Sequence, residues 1–358
     1  MKSAVGDKVS KILIEGGNLL SGTIPISGAK NSCLTLMPLC ILSGKTLSLQ
    51  NIPRLSDVDT MKDLLISLGV EIIHKNNEKE MILELKHEDK FIAEYEIVKK
   101  MRASILVLGP LLAKFGQAVV AMPGGCAIGT RPVDLHLFGL KALGANFSID
   151  KGYIIGRVRG RMNGAKIEFP SKSVGATANV IMAAVSAKGV TEIINVAQEP
   201  EIVDLCNCLI KMGCKIEGAG KNKILIEGVD ELKDAQHKVI MDRIELGTYI
   251  LAGAITNGNI KFTGGNLAPI KSFVEKLSNV GVELEEHGNF ISLKRNVEKI
   301  GSIDIQTEPY PGFPTDLQAQ MMALLSISNG VSTIEESIFE NRFMHIPELI
   351  RMGANIKT

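Results

Sequence analysis

The 358-residue chain contains no tryptophan, and aromatic residues make up only 4% of it. Proteins that hold single-stranded nucleic acid stack its bases on aromatic side chains, so this composition argues against such a role. The formal net charge is +1, which gives no electrostatic attraction toward a nucleic acid or an anionic membrane. We therefore expect neither nucleic acid nor a membrane as a partner.

Long apolar segments and metal-binding spacings are also missing. No uninterrupted apolar run approaches the roughly 20 residues of a membrane-spanning helix, and residues 1–7 lack the apolar core of a signal peptide. Cys206 and Cys208 are separated by one residue, and no histidine pair follows them at the spacing of a zinc finger. Free cysteines inside apolar segments are typical of a reducing compartment. The sequence thus predicts a cytoplasmic protein and gives no sign of a metal site.

What the sequence does contain is an internal repeat, in a chain long enough for two domains. An apolar residue, a glycine and a short strand-like segment recur five times at nearly constant spacing, with the glycines at Gly69, Gly144, Gly213, Gly281 and Gly353. An earlier glycine in each unit follows an apolar helix and suits a left-handed helix cap: Gly44, Gly116, Gly189, Gly258 and Gly330. Each unit is predicted to run helix, strand, helix, strand, with connecting strands. Such alternation buries parallel strands beneath helices.

One loop, at residues 123–132, combines a thiol with a nearby cation. Its three glycines and two prolines exclude a helix or a central strand, and they surround Cys126 and Arg131. The interval between the two glycines of a unit is longest in the second unit, and the extra residues fall in this loop, where function is often added. Cys126 is therefore a candidate acid, base or nucleophile. The other cysteines are expected to be small buried hydrophobes: Cys33, Cys40, Cys206, Cys208 and Cys214.

The first helix of each unit begins with polar or charged residues. These are Lys30 with Asn31, Arg102, Ser173 with Gly175, Arg243, and Thr315 with Asp316. Helix N-termini attract anions, and Ser173, Thr315 and Asp316 would serve equally well as ordinary caps. A lysine or arginine opposes the helix dipole at this end, and a bound anion would remove that conflict. The helix starts therefore predict an anionic ligand.

Six sequence motifs, taken in order, resemble those of the UDP-N-acetylglucosamine 1-carboxyvinyltransferase family of enolpyruvyl transferases. They are Gly28–Asn31, Met101–Ser104, Pro123–Cys126 with Arg131–His136, Ser173–Thr177, Phe313–Gln320 and Phe339–His345. The match extends from about Ile12 to Lys357. Each motif alone is weak evidence, whereas six in order are specific.

The resemblance implies an α/β fold, a two-domain inside-out α/β barrel built from βαβαββ units, of which five of the expected six are present. The first domain would span residues 30–240 and carry the Cys126 loop. The second would combine residues 1–29 and 241–358, with a strand near Ile12, Leu13 and Ile14 pairing there. The sixth unit of the family would supply two arginines for phosphoenolpyruvate. A fragment of a normal enzyme and a shortened paralogue both remain open, and we expect this chain to be poorly stable or poorly active.

The resemblance also implies an activity, in which the enolpyruvyl group of phosphoenolpyruvate passes to the 3-hydroxyl of UDP-N-acetylglucosamine and phosphate is released. This is the first committed step of peptidoglycan synthesis, and thus of cell-wall biogenesis, cell shape and cell division. Cys126 would protonate the methylene carbon, or hold a covalent adduct, and would be the target of fosfomycin. Asp316 would be the base, and Lys30 and Arg131 would grip phosphoenolpyruvate without a metal or other cofactor.

The UDP-sugar site would be lined by residues from several units: Asn31, Arg102, Arg131, Pro132, Val133, Asp134, Leu135, Ser171, Lys172, Ser173, Val174 and Ile338. Two alternatives stay open. One is the shikimate-pathway transferase, which shares the fold and phosphoenolpyruvate, although the Cys126 loop and the Phe339–Arg342 motif favour the nucleotide-sugar branch. The other is a non-catalytic protein that binds a nucleotide sugar. His136 and His345 are expected to be structural.

Overall fold

The computed structural model describes residues 13–123 and 133–358. The strands are β1 Ser21–Pro25, β2 Leu47–Gln50, β3 Val70–Lys75, β4 Glu80–Leu85, β5 Ile92–Ala93, β6 Gln117–Ala121, β7 Asn146–Asp150, β8 Tyr153–Arg157, β9 Lys166–Glu168, β10 Val190–Ile194, β11 Lys215–Glu217, β12 Lys223–Glu227, β13 Ala235–Lys238, β14 Asn259–Thr263, β15 Val282–Glu286, β16 Phe290–Arg295, β17 Ile305–Gln306 and β18 Ile334–Glu335.

The α-helices are α1 Lys30–Leu36, α2 Leu39–Ser43, α3 Ser56–Ser67, α4 Tyr95–Val98, α5 Leu108–Phe115, α6 Asp134–Ala142, α7 Val174–Ala184, α8 Pro200–Lys211, α9 Arg243–Ile255, α10 Lys271–Asn279, α11 Gln318–Leu325 and α12 Ile346–Arg351. Short 3-10 helices span Arg102–Val107, Ala268–Ile270 and Thr315–Leu317. The second and third units follow the predicted βαβαββ order, from β5 to β8 and from β9 to β12.

Four sheets of the described chain share one pattern. Their strand orders are β13-β2-β4-β3, β5-β6-β8-β7, β9-β10-β12-β11 and β1-β14-β16-β15. In each sheet the first pair is parallel and the other two pairs are antiparallel. The prediction of parallel strands is therefore only partly right, because a hairpin completes every sheet. Lys151 and Gly152 show why, since their φ angles of 47° and 80° form a two-residue turn between β7 and β8.

The repeated glycines behave differently at the two positions. Gly69, Gly144, Gly213, Gly281 and Gly353 all have left-handed φ angles directly after a helix, from 90° to 104°. Among the earlier glycines, Gly44 and Gly116 cap α2 and α5 as predicted. The cap prediction is wrong for Gly189, Gly258 and Gly330, since α7, α9 and α11 end before them. At α9 the left-handed residue is Asn257, whose short polar side chain tolerates φ of 52°.

Buried apolar side chains form two clusters. The larger one lies between Cys33 and Val239 and includes α5, which packs against both α2 and α7. The smaller one joins Ile26 to residues between Leu246 and Leu325, around α9 and α11. The division into domains 30–240 and 1–29 plus 241–358 stays a proposal, and these two clusters are its support.

The chain passes between the clusters twice, and we call residues 26–30 and 239–243 the crossing segments. They lie side by side: Gly28 bridges Met241 in antiparallel fashion, and the Ala29 amide donates to the Ile240 carbonyl at 2.7 Å. A Cβ atom at Gly28 would lie 1.8 Å from the Asn51 carbonyl oxygen, so this approach needs glycine. On each side of the crossing a sheet includes a strand that is distant in sequence, because β1 pairs with β14 and β13 pairs with β2.

The N-terminal strand is not where the sequence predicts it. Leu13 and Ile14 are 91% and 80% exposed and belong to no strand, while Ile12 is outside the described residues. The strand that pairs in parallel with β14 is β1. Between the two positions Gly17 adopts a φ of 82°, which interrupts an extended chain.

Candidate active site

Lys30, the last residue of the first crossing segment, and Asn31 begin α1. The Lys30 amide donates to Asp242 Oδ2 at 3.1 Å, and its Nζ lies 3.1 Å from Asp57 Oδ2 in the first turn of α3. Asn31 is exposed. The charge conflict at this helix start is therefore eased by a carboxylate of the protein itself, and the Lys30 side chain is still 42% exposed.

A buried histidine lies beside Arg102, the first residue of its 3-10 helix. Asn179 Nδ2 donates to the Ile105 carbonyl at 2.9 Å and lies 2.7 Å from His136 Nδ1. An amide nitrogen only donates, so His136 Nδ1 accepts and Nε2 carries the hydrogen. Burial, and next the Arg102 cation, lower the pKa of His136 to about 3. The imidazole is thus neutral at physiological pH.

The start of α7 meets the same histidine. The Ser173 hydroxyl accepts a hydrogen bond from the Ala176 amide at 3.3 Å, which makes Ser173 an N-cap. A Cβ atom at Gly175 would lie 3.0 Å from His136 Cε1, so the imidazole occupies the space over this glycine. Ser171 is exposed, Val174 is 37% exposed, and Lys172 Nζ donates to Gln198 Oε1 at 3.1 Å.

The structure therefore brings part of the predicted UDP-sugar site together around His136. Arg102 lies beside this histidine, and Ser173 and Val174 form the start of α7, whose Gly175 packs against it. The predicted residues Val133, Asp134 and Leu135 form the start of α6, which carries His136. Of these Val133 is buried, Asp134 is exposed and Leu135 is half-buried. The predicted residues Cys126, Arg131 and Pro132 fall in 124–132 and lie outside the described residues.

Asp316 is held by an arginine. Its Oδ1 lies 2.6 Å from Arg342 Nη2, and the Arg342 guanidinium lies over the Phe339 ring, 5.4 Å from its centroid. Glu336 connects the neighbouring elements, since Oε2 accepts from the Thr315 hydroxyl and Oε1 accepts from the amide of half-buried Ile338. The side chains of Thr315 and Asp316 therefore bond to Glu336 and Arg342 and do not cap the helix as the sequence predicts.

Arg243 at the start of α9 has its anion within the protein. Its Nε lies 3.0 Å from Glu201 Oε1, both groups are almost fully buried, and the guanidinium lies 5.6 Å from the Tyr310 ring centroid. The interpretation of Arg243 as a cation awaiting a ligand is therefore wrong. Nearby, burial raises the pKa of Glu199 above its usual range, and the Glu201 carboxylate adds to the effect.

The sequence does not predict the residues that form ion pairs and hydrogen bonds with the site residues. Asp57 and Glu201 look like ordinary first-turn acids of their helices, and no signal in the sequence links them to Lys30 or Arg243. Arg342 lies in a quoted motif, but nothing in that motif indicates a contact with Asp316. Asn179 looks like one more residue of an apolar helix.

Residues 13–123 and 133–358 contain no group of three or more His, Cys, Asp or Glu side chains that could hold a metal ion. Within the same residues, no helix combines the length and the apolar character needed to cross a membrane.

The fold is that of the enolpyruvyl transferases. The crystal structure of the enolpyruvyl transferase NikO from Streptomyces tendae matches with a TM-score of 0.87, covering 96% of this chain and 81% of that one at 19% identity. EPSP synthase from Acinetobacter baumannii matches with a TM-score of 0.65 at 16% identity, covering 89% of this chain and 74% of that one. The predicted fold class is confirmed.

The comparisons of sequence are more specific. The family model of EPSP synthase (3-phosphoshikimate 1-carboxyvinyltransferase) matches residues 14–358. UDP-N-acetylglucosamine 1-carboxyvinyltransferase of Dinoroseobacter shibae is 56% identical over 97% of this chain and 82% of its own length. The protein of the same name from Ruegeria pomeroyi is 52% identical, over 98% and 83%. The chain belongs to the enolpyruvyl transferase family, in the group of UDP-N-acetylglucosamine 1-carboxyvinyltransferases.

Proposed function

We infer that the chain transfers the enolpyruvyl group of phosphoenolpyruvate to the 3-hydroxyl of UDP-N-acetylglucosamine and releases phosphate. The observation that carries this inference is the 56% identity, over 97% of the chain, to a UDP-N-acetylglucosamine 1-carboxyvinyltransferase. This reaction is the first committed step of peptidoglycan synthesis. We therefore propose a cytoplasmic role in cell-wall biogenesis, and through it in cell shape and cell division.

The reaction needs two proton transfers, one to the methylene carbon of phosphoenolpyruvate and one from the sugar hydroxyl. We assign the first to Cys126, because a thiol with a pKa near its ordinary value of roughly 8.5 is mostly protonated at neutral pH and can donate. The second goes to Asp316. The Asp316 side chain is 41% exposed and is held in place by Arg342, which supports the role.

The substrates carry four acidic groups between them, which are a carboxylate, a phosphate and the diphosphate of the nucleotide. Lys30 and Arg131 are proposed to bind phosphoenolpyruvate, and the partial exposure of the Lys30 side chain supports this. Arg102 and the start of α7 are proposed to face the diphosphate, where a cation and unpaired helix amides attract anions. Asn31, residues 131–135 and 171–174, and Ile338 complete the proposed UDP-sugar site. Preorganised cations of this kind stabilise developing charge.

A phosphate-release assay with two acceptors tests the inference. Phosphoenolpyruvate with UDP-N-acetylglucosamine is expected to give phosphate, and phosphoenolpyruvate with 3-phosphoshikimate is expected to give none. Release with 3-phosphoshikimate alone would assign the chain to the shikimate pathway. Binding of UDP-N-acetylglucosamine without any release would make it a nucleotide-sugar binding protein.

A further inference from the structure

Asp204 is a buried carboxylate that the proposed chemistry does not use. It lies on α8, is 3% exposed, and accepts hydrogen bonds from three donors. Its Oδ2 accepts from the Ser32 hydroxyl and, at 3.4 Å, from the Ile240 amide, while Oδ1 accepts from His237 Nε2 at 2.8 Å. Ser32 and His237 are themselves buried, at 0% and 4% exposure.

The three donors come from both passages of the chain between the clusters. Ile240 belongs to the second crossing segment, and His237 lies on β13 immediately before it. Ser32 follows the first crossing segment, two residues after Lys30 on α1. One carboxylate on a third element therefore binds both passages at the point where they lie side by side.

The three contacts require a side chain with two acceptor oxygens at position 204. A carboxylate only accepts, so it can satisfy a hydroxyl, an amide and an imidazole N–H at once. Asparagine has the same shape, but an NH2 group replaces one of its two acceptor oxygens. That donor would then face one of the three donors. Buried donors that lose their acceptor are costly, so the segments would shift to find new partners.

We propose that Asp204 is a positioning residue that fixes the two crossing segments against each other and so places Lys30 and Asn31 at the active site. The catalytic part of this proposal rests on the proposed function. Few bonds separate Asp204 from Lys30. Asp204 accepts from the Ile240 amide, the Ile240 carbonyl accepts from the Ala29 amide, and Lys30 is the next residue. Misplacing a substrate-binding group by about 1 Å is enough to cost on the order of 100-fold in rate.

The test compares Asp204→Asn with Ile226→Val, a control that disturbs an equally buried residue of β12 away from the crossing. Hydrogen–deuterium exchange is read at the Ala29 and Asp242 amides, which are bonded across the crossing segments. We expect several-fold faster exchange at these amides in Asp204→Asn but not in Ile226→Val. Equal exchange in the two variants would overturn the proposal.

Steady-state kinetics are measured on the same proteins, well below their melting temperatures. Because Asn31 is assigned to UDP-N-acetylglucosamine and Lys30 to phosphoenolpyruvate, Asp204→Asn is expected to raise the KM for UDP-N-acetylglucosamine and to lower kcat/KM for phosphoenolpyruvate by roughly 10- to 100-fold. Ser32→Ala, which removes a single donor, is expected to change the same parameter in the same direction by less. Unchanged kcat/KM in Asp204→Asn, despite faster exchange, would overturn the link to Lys30 and Asn31.

The two inferences fail separately. A wild-type chain that releases no phosphate would overturn the proposed function, because its own activity is the first measurement made. The exchange comparison needs no activity, and it still decides whether Asp204 holds the crossing segments together.

Discussion

At the scale of the residue, the charged side chains of the site are already paired inside the protein. Lys30 is bound to Asp57, Arg243 to Glu201, and Asp316 to Arg342. The Arg243 pair is buried, whereas the Lys30 pair is partly open to solvent. A ligand anion therefore competes with Asp57 for Lys30 but has no comparable access to Arg243.

Replacing Asp316 by asparagine tests its proposed role as the base. Asn keeps the shape of the side chain but cannot take up the hydroxyl proton, so kcat is expected to fall by roughly 10²- to 10⁴-fold. Binding of UDP-N-acetylglucosamine, measured by calorimetry, is expected to persist. The matched control is Glu283→Gln, the same chemical change at an exposed position of β15. A loss of kcat below tenfold would remove Asp316 from the chemistry.

His136 gives the chain a defined acid sensitivity. The unfolded chain protonates this side chain below pH 6.5, whereas the folded protein keeps it neutral down to about pH 3. Its contribution to stability is thus present above pH 6.5 and is lost as the pH falls toward 3, by up to about 1.4 kcal/mol per pH unit. The free energy of unfolding, measured by urea denaturation at pH 7, 6 and 5, is expected to depend less steeply on pH for His136→Gln than for wild type. Parallel slopes would contradict a neutral buried imidazole.

The five described cysteines are expected to resist thiol reagents in the folded protein. Burial raises the pKa of Cys33, Cys206, Cys208 and Cys214 to about 12, and raises that of Cys40 further. Mass spectrometry after treatment with fosfomycin is expected to find the adduct on Cys126 alone. Iodoacetamide in urea, the control, labels all six cysteines. An adduct on a buried cysteine, or none on Cys126, would contradict these assignments.

The sequence could predict local features of the site but not its pairings. Ser173 was recognisable as a helix cap because its partner is three residues away. Glu201 and Arg243 are 42 residues apart, and Asp316 and Arg342 are 26 apart. Such partners are chosen by the packing of whole helices, which composition and periodicity do not encode.

At the scale of the element, helices α6 and α7 pack closely at a glycine. A Cβ atom at Gly139 would lie 2.3 Å from Val180 Cγ2, a contact that side chains do not sustain. This approach keeps His136 on α6 against Gly175 on α7. The close spacing of α6 and α7 therefore depends on the absence of a side chain at Gly139.

A double-mutant cycle tests this contact. Gly139→Ala is expected to destabilise the fold by about 1–3 kcal/mol through overpacking. Val180→Ala opens space at the same place, so the double variant is expected to lose less than the sum of the single losses. Chemical denaturation of the four proteins measures the coupling. Additive losses would show that the helices move apart instead of clashing.

The repeat could be predicted at this scale, whereas the direction of its strands could not. The glycines after α3, α6, α8, α10 and α12 mark a backbone conformation that is visible in sequence. Whether the next strand pairs in parallel depends on which edge of which sheet is free. For β1 that edge belongs to β14, more than two hundred residues away, so the prediction placed the strand too early.

At the scale of the whole molecule, the buried pair of Glu201 and Arg243 connects elements of the two apolar clusters. Glu201 lies on α8, against the larger cluster, and Arg243 on α9, against the smaller one. Removing one partner leaves a buried charge without compensation, which costs more than removing both.

Two variants test the pair. Glu201→Gln is expected to lower the free energy of unfolding by about 3–5 kcal/mol, and Glu201→Gln with Arg243→Met is expected to recover much of the loss. Calorimetry on both proteins measures the difference. A double variant less stable than Glu201→Gln would show that Arg243 stabilises the molecule mainly through other contacts, such as its position over Tyr310.

The pairing of strands that are distant in sequence also sets the order in which the protein can fold on the ribosome. The first described strand, β1, has no partner until β14 has been made, whereas β2 pairs early with β4 and lacks only its parallel neighbour β13. At a synthesis rate of roughly 5–20 residues per second, β1 remains unpaired for on the order of ten seconds or more. During that time the nascent chain exposes the unpaired β1 and the open edge of β2, and unpaired backbone groups of this kind are sites for aggregation. Protection of the early strands during translation is thus a requirement that this topology imposes on the cell.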